Sequence, residues 1–326
     1  MKKKALVIGL LGQDGSYLAE LLHKKGYEVF GIVRENQQTG KGSRIEWMLN
    51  LISGIRIFPV DILDKAQLRR IIETICPHEI YNFAGDSNVF NAWSNLDLTL
   101  DLNARVPQHI LEIILGNIKF SGTKFFQASS CLTFGRDTSG AQNERTPANP
   151  IHPYGITKNY STNMVKEFRH SLGVFAVSGI FFNHESERRG NDFFSKKITS
   201  AVAKIKDGSD EKIDVGNLSA QRDFGYAPDF MEAVWLMMQN EKPTDYVIGT
   251  GKLISMEEFV KKSFEYVGLD YKKFIRYDET LHRKNDTAVL RADITKIQTE
   301  LGWTPTHTVD EMIAKMIDYE LERTLA

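Results

Sequence analysis

The sequence predicts an α/β protein: a Rossmann-type parallel sheet with helices on both faces, followed by a smaller C-terminal α/β substrate-binding lobe. Three observations carry this expectation. Short apolar runs, the mark of strands buried on both faces, alternate with segments of helical spacing. A glycine turn joins the first of these strands to the first helix, the place where open α/β sheets bind nucleotides. After about residue 182 the alternation weakens, and charged loops and shorter elements take over. The expected division is a nucleotide-binding domain over 1–182 and a second lobe over 183–326. A stretch around 222–250 is expected to return to the first domain.

The elements follow in order. Residues 4–10 form a buried strand containing Ala5-Leu6-Val7-Ile8, and a glycine turn occupies 9–15. A helix is predicted over 16–25, with Gly26 where a helix-ending glycine belongs. Tyr27 to Val33 is a second strand. The polar, glycine-containing stretch 35–44 predicts a mobile loop. A third strand spans 55–60 and is ended by Asp61. A helix over 64–75 is stopped by Pro77, and 79–84 is strand-like. A long helix is expected over 97–115, with Pro107 as the kink candidate. Residues 123–129, 153–171 and 174–180 complete the series as strand, helix and strand.

Composition narrows the function classes. The chain has 326 residues, enough for one substantial domain and an attached lobe. A formal charge of −1 offers no polycationic field for nucleic acid. Two cysteines, Cys76 and Cys131, make no disulfide framework. No apolar run reaches membrane-spanning length. The opening Met1-Lys2-Lys3-Lys4 is followed by only a short apolar run and no cleavage pattern, so a cytoplasmic location is expected. The eight histidines are scattered, and no metal site is expected.

The turn Gly9-Leu10-Leu11-Gly12-Gln13-Asp14-Gly15 has glycines at its first, fourth and seventh positions. It suits a close backbone approach to a pyrophosphate at a helix N-terminus. Gly9, Gly12, Gln13, Asp14 and Gly15 are therefore cofactor candidates. Asp61 is placed to bond the adenine end of the cofactor. Arg34 and Glu35 end the second strand. An acidic residue there suits the free ribose hydroxyl of NAD, and an arginine suits the phosphate of NADP. With both charges present the balance leans to NAD. Ile62 and Phe83 complete the cofactor set.

Tyr154 and Lys158 form a Tyr-x-x-x-Lys pair, one helical turn apart on one face. An ammonium near the phenol is expected to favour the phenolate, which makes Tyr154 an acid–base residue for a sugar hydroxyl or keto group. Ser130, one strand earlier, is expected to polarise the reacting oxygen. Cys131 beside it is taken as a small buried hydrophobe.

Six collinear stretches carry a resemblance: Gly12 to Glu20, Gly31 to Arg34, Phe126 to Ser129, Phe182 to Gly190, Gly216 to Asp223 and Trp235 to Asn240. Together they resemble the GDP-mannose 4,6-dehydratase family, within the extended short-chain dehydrogenase/reductase superfamily. The likeness covers nearly the whole chain. It implies an NAD(P)-binding domain and a lobe for a GDP-sugar. It also implies that Asn183 holds the diphosphate and that Arg222 and Arg283 sit on its phosphates. Asp286 falls where the family has a glutamate near the ribose. Arg189, Lys197 and Val215 lie in segments lining the nucleotide pocket, and Ser87 lies near the sugar. The family resemblance further implies a homo-dimer or homo-tetramer.

The match breaks where the chemistry is decided. After the fifth strand the dehydratases carry Thr-Ser-Glu or Thr-Asp-Glu, whose glutamate moves the C5 proton and helps expel water from C6. Here the stretch is Ser130-Cys131-Leu132. Leucine transfers no proton, and neither Asp137 nor Glu144 fills its place in the segment. The family's usual Ala-Ala-Gln-Ser-His-Val is Ala84-Gly85-Asp86-Ser87-Asn88-Val89, and the second arginine of its cofactor loop is Glu35. The expectation is NAD-dependent oxidation at C4 of a GDP-sugar, a GDP-heptose or a GDP-mannose-like sugar, without dehydration. A 4-epimerase, a 4-keto reductase, a true dehydratase and a non-catalytic binding protein are the alternatives.

Overall fold

The computed structural model describes residues 2–87, 89–135, 140–281 and 289–324. The first strand, β1 (Lys4–Ile8), stops short of the expected end because Gly9 turns the chain at φ +86°. After α1 (Gln13–Lys24) come β2 (Glu28–Val33), α2 (Arg44–Leu51), β3 (Arg56–Pro59), α3 (Lys65–Ile75) and β4 (Glu79–Asn82). An unexpected short helix, α4 (Val89–Ser94), comes first; the expected long helix is then α5 (Leu96–Leu100), a π-helical turn over Asp101–Arg105 and α6 (Val106–Leu115). Pro107, the second residue of α6, follows that wider turn. Lacking an N–H, proline cannot donate to the carbonyl one turn back, so the regular ladder is interrupted where the helix widens. Then come β5 (Lys124–Ser130), α7 (Pro153–Leu172) and β6 (Ala176–Phe181).

These strands build one parallel sheet with β10 (Tyr246–Ile248) at its edge, in the order β10-β6-β5-β4-β1-β2-β3. Its two faces are legible in single residues. Ala5 and Val7 of β1 enter one apolar core, with Leu18 and Leu22 of α1. Leu6 and Ile8 enter the other, with Leu68 and Ile72 of α3 and Ile110 of α6. Alternating side chains of a strand point to opposite faces, so an uninterrupted apolar run supplies both cores at once.

The second half builds a lobe from β7 (Asn183–Glu185), α8 (Phe194–Lys206), β8 (Ile213–Val215) and β9 (Gln221–Tyr226). α9 (Ala227–Gln239) packs back against α1. Beyond β10 lie β11 (Leu253–Ser255), α10 (Met256–Tyr266), β12 (Ile275–Tyr277), β13 (Val289–Leu290), α11 (Thr295–Leu301) and α12 (Val309–Thr324). β9 pairs antiparallel with β11 and parallel with β13 and β7. A third core joins Ile198 and Val202 of α8 to Phe259 and Phe264 of α10 and to Met312 and Met316 of α12. Among the described residues no helix is long and apolar enough to cross a membrane.

In the large sheet the strand order reverses between β1 and β4. Crossovers leave these two strands in opposite directions, which opens a crevice at their carboxyl ends. The Gly9 turn and residues 83–87 border that crevice.

Candidate active site

The glycine turn is a cradle without room for side chains. A Cβ on Gly9 would lie 2.8 Å from the Ala84 nitrogen, and one on Gly15 would lie 2.4 Å from the Gly9 carbonyl oxygen. The Gly12 N–H donates to that carbonyl at 3.0 Å and closes the turn. Gly12 caps α1 with no side-chain hydrogen bond, so the first N–H groups of the helix stay open to an anion. This geometry fits the diphosphate of a dinucleotide. Gln13 and Asp14 turn their side chains elsewhere: the Gln13 amide donates to the His184 carbonyl at 3.1 Å, and Asp14 lies 3.0 Å from the His184 imidazole. Phe83 borders the turn and packs on Phe126, with ring centroids 5.5 Å apart. Arg34 and Glu35 are exposed just beyond β2. Asp61 is exposed beyond β3, where it accepts the Leu63 N–H at 3.0 Å, and Ile62 is half-buried.

Ser130, Tyr154 and Lys158 converge beside this cradle. His152 caps α7 by accepting the Gly155 N–H at 3.1 Å, and Pro153 opens the helix. Tyr154 and Lys158 then share its buried face. The Lys158 ammonium donates to the Ala128 carbonyl at 2.9 Å, and the Ser129 and Thr162 hydroxyls meet at 2.7 Å, so α7 is clamped to β5. Gly155 has a further role: a Cβ there would lie 2.6 Å from the Leu132 carbonyl oxygen. The turn after β5 is thus pressed against the first turn of α7, which fixes Leu132 relative to Tyr154.

The electrostatics correct one expectation. The Tyr154 phenol is not lowered by its lysine. Burial pushes it up to about 12, against smaller opposing effects of the Ser130 hydroxyl and the Arg189 charge. The Lys158 nitrogen stands 5.8 Å from the phenol ring centre. Burial also brings Lys158 down to about 8, opposed by the Asp14 carboxylate. In the protein by itself both groups are pushed toward their neutral forms. Burial raises the Cys131 thiol to about 12, consistent with an inert small hydrophobe.

Leu132 is partly buried and packs on the apolar core of the large sheet. Glu144 is engaged elsewhere: it accepts the outward-facing Val247 N–H of edge strand β10 at 2.7 Å. Asp137 lies outside the described residues, as do Asn88, Arg283 and Asp286.

The substrate-side candidates spread along the lobe. Asn183 opens β7, opposite Phe224 of β9. Arg189 stacks on Phe193 at 3.5 Å, and its Nε lies 3.0 Å from Glu185 without the alignment of a hydrogen bond. Arg222 is buried on β9 and donates to the Gln221 carbonyl at 2.8 Å, and its charge reaches Cys131. Ser87 and Lys197 are exposed, and the Val215 side chain packs in the lobe's core. Among the described residues no group of three or more His, Cys, Asp or Glu is placed to hold a metal.

Two residues at the site escaped the sequence reasoning. Asn103, fully buried in the π-helical turn, brackets Asp86: its Oδ1 accepts the Asp86 N–H at 3.1 Å and its Nδ2 donates to the Asp86 carbonyl at 3.0 Å. Its signal was a lone amide in an apolar helical pattern, four residues before a proline. His184 is the other; its signal was its place beside Asn183.

Known proteins resemble the chain in sequence and in fold. The family model described as GDP-mannose 4,6 dehydratase matches residues 6–316. The chain is 39 % identical to GDP-mannose 4,6 dehydratase 2 of Arabidopsis thaliana, over 98 % of this chain and 87 % of that protein. It is 38 % identical to the GDP-mannose 4,6 dehydratase of Homo sapiens, over 98 % of this chain and 92 % of that protein. The fold is that of a Thermotoga maritima UDP-glucose 4-epimerase solved with UDP-glucose, at TM-score 0.85 and 21 % identity, covering 99 % of this chain and 100 % of that one. It is also that of a Bacillus anthracis dTDP-glucose 4,6-dehydratase solved with NAD, at TM-score 0.82 and 17 % identity, covering 99 % and 98 %.

Proposed function

Because the chain belongs to the GDP-mannose 4,6-dehydratase family, we propose that it oxidises C4 of a GDP-sugar to the 4-keto sugar and does not eliminate water. The observation that carries this reading is Leu132, packed on apolar core where the resemblance calls for the proton-moving glutamate. Elimination across C5 and C6 needs a group that takes the C5 proton. A leucine has none to exchange, and Glu144 is held at the far edge of the sheet by the Val247 N–H.

The redox half needs only residues the site retains. The glycine cradle and the open N-terminus of α1 would hold the diphosphate of NAD, and Glu35 beside Arg34 favours NAD over NADP. Bound NAD would supply the acceptor for the hydrogen and electron pair that leave C4. Tyr154 takes the proton of the C4 hydroxyl, and Ser130 holds the same oxygen through a hydrogen bond. The Arg189 charge works against burial and favours the phenolate, while Lys158, fixed by the Ala128 carbonyl, holds α7 against β5. Asn183 and Arg222 grip the diphosphate of the sugar nucleotide by charge-assisted and polar bonds. A GDP-heptose serves as well as a GDP-mannose-like sugar, since no leaving group at C6 is required.

Net cofactor reduction tests the reading. Purified protein mixed with NAD and GDP-mannose or a GDP-heptose is expected to accumulate reduced nicotinamide absorbance in proportion to product. A dehydratase or an epimerase returns its cofactor oxidised, so product formed without net reduction overturns the proposal.

A further inference from the structure

The first turn of α1 does two jobs with opposite ends of the same residues. Its N–H groups face the cradle. The side chains of Gln13 and Asp14 reach into the segment that carries the diphosphate-binding candidate Asn183. Gln13 donates to the His184 carbonyl at 3.1 Å and accepts from the Ser186 hydroxyl at 2.7 Å. Asp14 pairs with the His184 Nε2 at 3.0 Å. The Arg189 N–H donates to the Ser186 carbonyl at 3.0 Å, so Ser186 ties Gln13 to the backbone of Arg189.

His184 itself has one orientation. It is buried, stacked on Phe230 with centroids 4.7 Å apart and edge-on to Phe181 at 4.9 Å. Its Nδ1 lies 2.8 Å from the Phe182 carbonyl, while Nε2 faces the Asp14 carboxylate. Both partners only accept hydrogen bonds, so a ring that satisfies both donates twice and is an imidazolium. Asn183 stands between Phe182 and His184, and both of its neighbours are held by this one ring. β7 carries the placement onward, because Asn183 and His184 pair with Phe224 and Gly225 of β9, the strand of Arg222. Lys158 and Arg189 also face the Asp14 carboxylate. One acidic side chain at the cradle thus answers cations on three elements.

We propose that Asp14 and His184 are a positioning pair that couples occupancy of the glycine cradle to the grip of Asn183 and Arg222 on the diphosphate of the sugar nucleotide. The proposal rests on the reading of the site given above. A dinucleotide that orders the first turn of α1 orders Gln13 and Asp14, and through His184 and Ser186 it sets the loop from Phe182 to Arg189. Neither side chain touches a reacting atom.

Calorimetric titration of GDP into the full-length protein, with and without saturating NAD, tests it. In the native protein NAD is expected to tighten GDP binding about five-fold or more, the usual lower range of coupling between sites. In H184A and in D14N the ratio is expected to fall to about one, with thermal melting still cooperative. H184Q, whose amide nitrogen can stand in for Nε2, is expected to recover part of it. D14N keeps the shape of the turn and decides the matter if H184A does not fold. A ratio unchanged in D14N, or a ratio of one in the native protein, overturns the coupling and leaves the proposed function standing. Failure of GDP to bind at all overturns the proposed function, and the coupling with it.

Discussion

Ser130 and Leu132 stand two residues apart on one turn, and they differ in what surrounds them. Ser130 ends β5 against a braced polar corner, where Lys158 is fixed by Ala128, α7 is capped by His152, and Ser129 is bonded to Thr162. Leu132 leans on apolar core, and its carbonyl is pressed against Gly155 of α7. On the proposed function, the turn keeps its place against α7 while the side chain at 132 has no proton to move, and redox and elimination draw on different side chains of that turn.

Breaking the retained corner has the largest expected effect. Tyr154→Phe is expected to cut NAD reduction by roughly 10²–10⁴-fold, the usual size of a lost acid–base group, with NAD affinity little changed. Normal turnover by that variant would remove Tyr154 from the chemistry. Gly15→Ala tests the cradle. Its Cβ would fall 2.4 Å from the Gly9 carbonyl oxygen, so a loss of about 1–3 kcal/mol in unfolding free energy and weaker NAD binding are expected. Leu132→Glu sharpens the comparison from the other side. A carboxyl group on the partly buried turn is expected to destabilise the protein by about 1–3 kcal/mol, and to release a minor product lighter by one water. If that product is absent while the variant folds and oxidises normally, more than one residue separates this chain from a dehydratase.

The smallest effect is a pH dependence of stability through the Asp14–His184 pair. Burial works against the imidazolium, but the Asp14 carboxylate outweighs it and lifts His184 above its ordinary 6.5. That contribution is complete below about pH 6.5 and is lost as pH rises through the raised value. Burial also opposes ionisation of Asp14, yet His184 brings it to about 2. Its contribution is complete above its ordinary value of 3.8 and is lost as pH falls through about 2. The stability difference between the native protein and D14N is therefore expected to peak between about pH 4 and 6.5. A difference that stays flat from about pH 2 to well above 6.5 would show that the pair is uncharged.

The large sheet was legible because strands buried on both faces are apolar throughout: Ala5 to Ile8 and Val29 to Val33 need no alternation to be found. Short elements whose signal is a cap were harder. The polar stretch 35–44 predicts loop to its end, yet Ser43 caps α2 by accepting the Glu46 N–H at 3.1 Å, and Glu46 accepts the Gly42 N–H at 2.5 Å, one residue before the cap. The Ser-x-x-Glu spacing that marks such a helix start is present in the sequence. α4, with six residues, lacked even that signal. At the site, Tyr154, Lys158 and Ser130 were legible from spacing. The raised phenol was not, because burial depends on what packs around α7 rather than on which residue follows four places later. Asp14 was read as a ligand of the cofactor. That its side chain turns to His184, 170 residues on, depends on a tertiary contact that local spacing does not encode.

The most direct test is the mass of the product formed from a GDP-sugar and NAD under single-turnover conditions. Oxidation at C4 without elimination predicts a sugar nucleotide lighter than its substrate by two hydrogen atoms, with one equivalent of reduced cofactor. A product lighter by one water, with the cofactor returned oxidised, would contradict the role assigned to Leu132.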